Sequence, residues 1–360
     1  MKLPPGLSGL CATLGIARAP LTRHRALCDS PHLAHMPEGL RSDYARVLVR
    51  DYLLGRPIAS VVPGFYPFLA PDHRWDDYPD AVLARGDAPA VTQLEVLRPV
   101  QGEVPALRAA LHVHAYFLDG LPDILDRLAL NRTQPYLFVT GPSGQRAAAE
   151  GLLARYPGRW TYHAVANVGR DVVPFLELLP DLLAGGYDLI GHVHIKQSIT
   201  LSRAFARLWS DYMLSGVLGQ VSDGKPVVDA VVQDAAARGH EPVIYFPHMT
   251  TWTNWNRNRA DADQLADQFD LGQLPDQFVY SAGTMFWATP AYLARFAAIR
   301  LDWATLLPEP VGGDGTLLHA IERLFGAVAC AGAAKIVITG VPLVPFVYHR
   351  HSVERANRTP

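Results

Sequence analysis

One tripeptide occurs twice in this chain, and each copy closes an apolar stretch typical of a β-strand. The first copy is His112-Val113-His114, and the second, about eighty residues later, is His192-Val193-His194. Residues i and i+2 of a strand point to the same face, so each tripeptide places two imidazoles side by side. Ligands of open α/β sheets bind at the carboxyl ends of the strands. If the two strands are neighbours, the four histidines mark a site that holds either a metal or a phosphate-bearing ligand.

Bulk composition indicates a folded protein with a large core. Of the 360 residues, 49% are hydrophobic and 18% are charged, which argues against a disordered chain. The net charge of -2 argues against a general nucleic-acid-binding protein. Cys11, Cys28 and Cys330 form no CxxC pair, which indicates a reducing compartment without disulfides or a zinc knuckle.

Neither a targeting segment nor a membrane span is visible in the sequence. Near the N-terminus, basic residues are followed by no uninterrupted apolar stretch with a cleavage site, so we expect no signal peptide. No stretch stays apolar for the length that a bilayer requires. We therefore expect a cytoplasmic protein, and contact with a membrane surface stays open.

Hydrophobic periodicity divides the chain near residue 105. Residues 1–104 are rich in Pro and Arg and predict a small, mostly helical or irregular region. From 105 to 350 strand and helix patterns alternate, more irregularly in the second half, which predicts a doubly wound parallel α/β sheet followed by a tail at 351–360. Thr289 is expected to cap one helix and Gly326 to end another. The patterns predict strands over 109–117, 136–140, 160–165, 187–194, 242–246 and 278–286, helices over 44–54, 146–156 and 199–218, and helices beginning near residues 121, 172, 290 and 316.

The segment Asn167–Asp171 follows a predicted strand and opens a predicted helix. Backbone N–H groups at a helix start attract anions, and Gly169 lets a ligand approach the backbone. The guanidinium of Arg170 is suited to a phosphate or a carboxylate. The alternative is a plain helix start, with Asp171 as the cap and Arg170 in solvent. The motif by itself does not choose between the two interpretations.

Polar residues continue beyond the second tripeptide. His194, Lys196 and Ser198 share one face if the strand continues, and a lysine there can neutralise a diphosphate. The alternative is that the histidines are structural and bond to backbone or to carboxylates. Two copies of the tripeptide, with Lys196 beside the second, favour a functional role.

A metal site is the second interpretation of the histidines, because HxH on a strand occurs in metal-dependent hydrolases. Such sites need further ligands, and Asp188 and Asp314 are the candidates. No DxD directly follows a predicted strand, and no HExxH occurs to support them. A phosphate-bearing ligand is therefore the favoured interpretation.

Two later segments also combine small residues with polar groups. Ser281–Trp287 has small residues at its centre, which mark either the close approach of a ligand or a buried strand with a bulge. In Glu309–Thr316, Asp314 stands among glycines just before a helix. Its carboxylate can cap that helix or act as a general base on a hydroxyl.

Together and in this order, these segments resemble the conserved blocks of the rhamnan synthesis F family of polysaccharide-building proteins. The resemblance covers about residues 108–330. It implies the glycosyltransferase A fold, with a doubly wound mixed sheet, and a glycosyltransferase that acts on cell-surface polysaccharide. The segments that carry it are His112–Tyr116, Asn167–Val172, Gly191–Ser198, Ala282–Trp287 and Asp314–Arg323.

The resemblance also implies the partners. The donor would be a dTDP-, UDP- or GDP-sugar, with rhamnose as the candidate sugar, and the acceptor an oligosaccharide or a lipid-linked sugar. A lipid-linked acceptor would bring the protein to the inner face of the membrane. In that fold a strand ending in DxD supplies a metal for the diphosphate, but here His192-Val193-His194 stands at that position. We expect cationic side chains to replace the ion, so no cofactor and no metal requirement are predicted.

With that resemblance, each candidate residue receives a predicted role. Asp314 is the base of an inverting, single-displacement reaction. The alternatives are a metal-dependent hydrolase and a non-catalytic carbohydrate-binding protein. The donor diphosphate is assigned to Arg170, His194, Lys196 and Ser198, the nucleotide and its sugar to His112, His114, Tyr116, Asn167, Gly169, Asp171, His192, Gly283 and Thr284, and the acceptor to Trp252, Asn254 and Trp255.

Overall fold

A computed structural model of the protein describes most of the chain from residue 94 to residue 340. The chain divides into two compact units, one formed by 1–73, 249–251 and 342–360 and the other by 74–248 and 252–341. In the first unit, helix α1 spans Pro20–Cys28, and Ala45, Arg46 and Val49 of the helix predicted over 44–54 are helical. The rest of that helix lies outside the described residues, which are 20–29, 42, 45, 46, 49, 94–97, 102–195, 203–221, 224–247, 255–276, 278–306 and 315–340.

The second unit is built on an eight-stranded mixed sheet. The strands along the chain are β1 (Leu94–Val96), β2 (Ala109–His114), β3 (Tyr136–Gly141), β4 (Trp160–Ala164), β5 (Leu189–His194), β8 (Val243–Pro247), β9 (Phe286–Ala288) and β10 (Lys335–Gly340), with a separate ribbon of β6 (Gly219–Gln220) and β7 (Lys225–Pro226). The order in the sheet is β1-β10-β8-β9-β5-β2-β3-β4, and β9 runs antiparallel to both of its neighbours. The α/β class with a mixed sheet is confirmed. Strand β1 lies within the part predicted as the N-terminal region.

Helices alternate with the strands through the first half of this unit, as the periodicity predicts. The residues Leu121, Ile124, Leu125 and Leu128, which share one predicted helix face, are all buried. None of the helices within the described residues is both long and apolar enough to cross a membrane. The helices are α2 (Leu121–Leu128), α3 (Arg146–Leu153), α4 (Val172–Ala184), α5 (Arg203–Val217), α6 (Val228–Arg238), α7 (Arg259–Gln268), α8 (Pro290–Leu293), α9 (Trp303–Leu306) and α10 (Leu317–Val328).

Two predicted elements differ from the structure. The strand predicted over 278–286 shares only Phe286 with β9, because Gly283 and Thr284 have φ angles of 102° and 54° that an extended strand does not adopt. Gly326 does not end α10, which continues to Val328 and then into a π-turn. Gly326 is instead a close-contact position, since a Cβ there would lie 2.5 Å from the Cα of Tyr280.

The capping prediction for Thr289 is also wrong in its chemistry. Thr289 does precede α8, which begins at Pro290, but its hydroxyl makes no cap hydrogen bond to that helix. The hydroxyl instead accepts the backbone N–H of Val243 at 2.9 Å, at the start of β8. The residue therefore ties the helix start to the sheet.

Helix α4 covers the face of the sheet on which the repeated tripeptides lie. Its Phe175 stacks on His112 and on His192, with ring centroids 5.7 and 4.7 Å apart. Phe286 of β9 and Phe325 of α10 pack against Phe175 at 5.6 and 6.0 Å. This aromatic cluster packs against the rings of His112 and His192.

Candidate functional site

The two tripeptides lie side by side at the carboxyl end of the sheet. Strands β2 and β5 are parallel neighbours, with His112 opposite His192 and His114 opposite His194. Because the register is shared and residues i and i+2 face the same way, the four imidazoles form a two-by-two array. The adjacency that the repeated tripeptide predicts is confirmed.

The inner pair of the array, His112 and His192, is completely buried. Their Nδ1 atoms are 2.9 Å apart and their rings stack with centroids 4.9 Å apart. Burial lowers the pKa of both imidazoles, and the neighbouring histidines lower that of His112 further. Their predicted contact with the nucleotide or sugar is corrected, because neither side chain reaches solvent.

The outer pair, His114 and His194, keeps a small opening to solvent, with 5% and 8% of each residue exposed. His114 Nδ1 lies 2.9 Å from Thr140 Oγ1, and the same hydroxyl lies 2.8 Å from His112 Nε2. Burial lowers the pKa of His114 to about 4. His194 Nε2 donates to the carbonyl of Gly283 at 2.7 Å. The outer pair is thus the part of the array that a ligand can touch.

Asp171 brings a carboxylate to the array from the start of α4. Its Oδ2 lies 3.5 Å from His192 Nε2 and 3.8 Å from His194 Nε2, and it accepts the hydroxyl proton of Thr284. Burial opposes ionisation, but the two histidines and the Thr284 hydroxyl hold the pKa of Asp171 well below its usual range. Asp171 makes no cap hydrogen bond to its own helix, so the plain-cap interpretation is wrong.

The backbone on both sides of Asp171 has unusual dihedral angles. Gly169 and Arg170 have φ angles of 70° and 54°, and Thr284, which bonds to Asp171, also has a φ of 54°. A positive φ is uncommon for any residue other than glycine and costs more for a β-branched residue such as threonine. Such strained positions concentrate at functional sites, where the surrounding structure holds them.

The turn containing Gly283 connects the array to helix α10. The Gly283 N–H donates to the Glu322 carboxylate, while its carbonyl accepts from His194. Gly283 and Thr284 were predicted to contact the donor, but both are buried and bond to protein groups. Their observed contribution is to hold His194 and Asp171 in place.

Three residues of the site were missed by sequence reasoning. Thr140 ends β3, the other neighbour of β2, so its position at a carboxyl end was the available signal. Glu322 lies in the last of the segments that carry the family resemblance, but an isolated glutamate in a helix has no signature. Phe175 has none either, because an apolar helix face predicts burial and not a particular partner.

Of the other predicted site residues, the structure describes Tyr116, Asn167 and Trp255. Tyr116 is half-buried beside His114, with ring centroids 6.4 Å apart, and Asn167 is exposed after β4. Trp255 is 4% exposed, and its indole N–H donates to the carbonyl of Pro275 at 2.7 Å, so its packing is that of a core residue and not of an open sugar platform. The residues that lie outside the described part of the chain are Lys196, Ser198, Trp252, Asn254 and Asp314.

A cleft of about 310 Å³ borders the strained turn. It lies between the turn after β4, the first turn of α4 and residues 301–303, with Val168, Pro174 and Trp303 in its walls. The segment Asn167–Asp171 therefore lies between this cleft and the histidine array.

The structure also bears on the metal interpretation. Among the described residues, no group of three or more His, Cys, Asp or Glu side chains is arranged to hold a metal ion. Asp188, a candidate ligand, lies at the amino end of β5, where its carboxylate accepts the N–H of Arg108 at 2.8 Å. That assignment is wrong, because His192 and His194 lie at the opposite end of the same strand.

The fold and the site define an α/β protein with a polar array at the carboxyl end of its sheet. The chain belongs to the family described as Rhamnan synthesis protein F, which it matches over residues 78–333. This match confirms the resemblance inferred from the motifs.

The individual relatives share 28% sequence identity or less with this chain. In two strains of Xanthomonas campestris pv. campestris, the uncharacterized protein WxcX is 28% identical to this chain over 254 and 251 residues, which is 69% of this chain. The aligned part covers 35% of each of those relatives. Among solved structures, a 4-diphosphocytidyl-2C-methyl-D-erythritol synthase aligns with 69% of this chain and 97% of its own at 14% identity and a TM-score of 0.33.

We expect Thr140→Val to lower the free energy of unfolding by about 1–3 kcal/mol, because it leaves a buried nitrogen of His112 and one of His114 without a partner. Thr339→Val is the matched control. Thr339 is also a buried strand threonine, but within the described residues its hydroxyl has no hydrogen-bond partner. Denaturant unfolding should show no loss for the control, and equal losses in the two variants would contradict the role of Thr140.

Proposed function

We propose that the protein is a glycosyltransferase that moves a sugar, with rhamnose as the candidate, from a nucleotide sugar to a cell-surface polysaccharide. Membership of the rhamnan synthesis family supports a role in polysaccharide synthesis. The observation that carries the proposal is the position of the outer pair, His114 and His194, beside the Asn167–Asp171 turn. In α/β sheets this carboxyl edge is where nucleotide ligands bind.

In the proposed donor complex, cations neutralise the diphosphate. Arg170 leads into helix α4, whose N-terminal dipole also favours an anion. His194 donates its Nε2 proton to the carbonyl of Gly283, so its Nδ1 would need to carry a second proton in order to donate to a phosphate. Lys196 and Ser198 follow β5 directly in the sequence and complete the proposed diphosphate site. Tyr116, Asn167 and Gly169 are proposed for the nucleoside.

The proposed reaction is an inverting single displacement. Asp314 takes the proton of the acceptor hydroxyl as its oxygen attacks the anomeric carbon and the nucleoside diphosphate leaves. Trp252 and Asn254 are proposed for the acceptor sugar. Positive side chains supply the charge stabilisation that the leaving diphosphate needs, so the proposal includes no metal requirement.

A thermal-shift series with dTDP-, UDP- and GDP-sugars tests the donor. A ligand at a hundred times its Kd stabilises the folded state by about 2.7 kcal/mol, so the matching nucleotide sugar should raise the Tm by several degrees. The shift should persist with a chelator present. Free sugars and nucleoside monophosphates are the matched controls and should give smaller shifts. No shift with any nucleotide sugar would refute the proposed function, and a shift lost on chelation would refute its metal independence.

Asp314→Asn should reduce transfer by about 10²–10⁴-fold, because it removes the proposed general base. Donor binding should be retained, so the thermal shift with the matching nucleotide sugar should stay unchanged. The control is Asp270→Asn, an exposed aspartate. Transfer is measured as nucleoside diphosphate released in the presence of acceptor. Near-normal transfer by Asp314→Asn would show that Asp314 is not the base.

A further inference from the structure

Asp171, at the start of α4, and side chains from the three neighbouring strands β5, β2 and β3 form a continuous chain that ends at His114. His192 Nε2 lies 3.5 Å from Asp171 Oδ2, and His192 Nδ1 lies 2.9 Å from His112 Nδ1. His112 Nε2 lies 2.8 Å from the Thr140 hydroxyl, which lies 2.9 Å from His114 Nδ1. Every link after the first is at hydrogen-bond distance.

The carboxylate fixes the direction of the first links. A neutral imidazole carries one N–H and one lone pair. A lone pair of His192 facing the Asp171 carboxylate would be repelled, so His192 carries its proton on Nε2 and accepts at Nδ1. Among the described residues, the donor at that distance is His112, which therefore carries its proton on Nδ1. Burial, which lowers the pKa of both histidines, supports the neutral forms.

The direction of the remaining links follows because a neutral imidazole and a hydroxyl each have a single proton to donate. With its proton on Nδ1, His112 has a lone pair on Nε2, and the Thr140 hydroxyl donates to it. A hydroxyl has a single proton, so Thr140 must accept from His114 Nδ1–H. The proton of His114 is then on the inner nitrogen. Its Nε2 is left as a lone pair and makes no hydrogen bond within the described residues.

The same reasoning gives His194 the opposite arrangement. A carbonyl oxygen can only accept, so the 2.7 Å contact with Gly283 places a proton on His194 Nε2. The two outer histidines, although equivalent in register, are therefore held by different partners and in different tautomers.

We propose that the chain from Asp171 fixes His114 as a hydrogen-bond acceptor for a hydroxyl of the bound nucleotide sugar, with Thr140 and His112 as positioning residues. The assignment of the ligand rests on the proposed function, whereas the tautomer of His114 does not. An acceptor nitrogen repels phosphate oxygens and attracts an O–H group. It therefore separates a hydroxyl-binding side of the site, at β2, from the diphosphate side at Arg170.

Nitrogen-15 spectroscopy of the full chain labelled in histidine tests the tautomers directly. Long-range proton–nitrogen correlations distinguish a protonated ring nitrogen from a bare one, and single His→Gln variants assign the signals. At neutral pH we expect protons on Nδ1 of His112 and His114 and on Nε2 of His192 and His194. A proton on Nε2 of His114 in the unliganded protein would overturn the proposal.

Two variants test the cause of that tautomer. Thr140→Val removes the group that accepts from His114 Nδ1–H, and Asp171→Asn replaces the carboxylate that orients the chain, so each should shift the His114 proton toward Nε2. Thr339→Val, which alters a buried strand threonine outside the chain, should leave the His114 signals unchanged. If His114 keeps its Nδ1 proton in both Thr140→Val and Asp171→Asn, the chain does not set the tautomer and the positioning roles are refuted.

Ligand titrations then identify the hydroxyl. A shift of the His114 Nε2 signal with the nucleoside diphosphate alone points to the ribose, and a shift that requires the intact nucleotide sugar points to the transferred sugar. Binding of the nucleotide sugar that leaves the His114 Nε2 signal unmoved would refute its role as a hydroxyl acceptor. Absence of binding would refute the proposed function, while the unliganded spectra would still decide the tautomer.

Discussion

Gly326→Ala is expected to lower the free energy of unfolding by about 3 kcal/mol or more, at the upper end of what overpacking costs. A Cβ at this position would lie 2.5 Å from the Cα of Tyr280 and against the carbonyl oxygen of Val279. Both contacts are backbone or near-backbone atoms, which cannot move by a rotamer change. Helix α10 must therefore shift away from the segment that follows residue 278.

Gly151→Ala is the matched control for this variant. Gly151 also lies inside a helix, α3, but its added Cβ would meet no atom within 4 Å. The alanine should stabilise the protein by about 0.5–1 kcal/mol through its better helix propensity. Urea unfolding of the two variants measures the difference. Similar stabilities for the two would show that Gly326 is not a required point of close contact.

The position of Gly326 also matters for the site. Glu322 lies one helical turn earlier and accepts the N–H of Gly283, whose carbonyl in turn accepts from His194. A shift of α10 would therefore pull on the turn that holds His194. If the proposed donor site is correct, Gly326→Ala should also reduce the thermal shift given by the matching nucleotide sugar, whereas Gly151→Ala should not.

The central array was predictable because it depends on local periodicity. A strand alternates its side chains, so His112 and His114 must share a face whatever the sheet around them, and the apolar stretches before the two tripeptides identify both strands. The helix face at 121–128 follows in the same way from a period of 3.6 residues. These patterns located the edge of the sheet that carries the site.

The non-local parts could not be predicted, because they depend on which elements meet in space. Asp171 looked as much like a helix cap as a site residue, and only the packing of α4 over β5 turns its carboxylate toward His192. The segment 278–285 has the composition of a strand, but the turn at Gly283 and Thr284 leads it to Glu322 and Asp171 instead. Burial of the inner histidines likewise follows from Phe175, a contact that no motif encodes.

Acid should lower the free energy of unfolding already between pH 6.5 and about pH 4, and His114 should account for a large part of this loss. The pKa of His114 is about 4 in the folded protein and 6.5 as the ordinary value expected after unfolding. Between these values the unfolded chain binds a proton that the folded chain does not, so the free energy of unfolding falls as the pH falls from 6.5 toward 4. The difference corresponds to about 3 kcal/mol for this residue alone.

The neighbouring groups act in the same direction or at lower pH. Burial also lowers the pKa values of His112 and His192, so each adds to the loss below pH 6.5. The pKa of Asp171 is lowered from 3.8, so its stabilising contribution is kept above that value and is lost only in stronger acid. Destabilisation between neutral pH and pH 4 is therefore assigned to His112, His114 and His192 and not to the carboxylate.

His114→Gln tests this assignment, because glutamine keeps a hydrogen-bonding side chain but does not titrate. Urea unfolding as a function of pH should give a shallower slope for the variant below pH 6.5, by up to about 1.4 kcal/mol per pH unit, the contribution of one proton. His240→Gln, which replaces an exposed histidine outside the array, is the control. If both variants keep the slope of the unmodified protein, the His114 imidazole is not held neutral by burial, and the lowered pKa assigned to it is wrong.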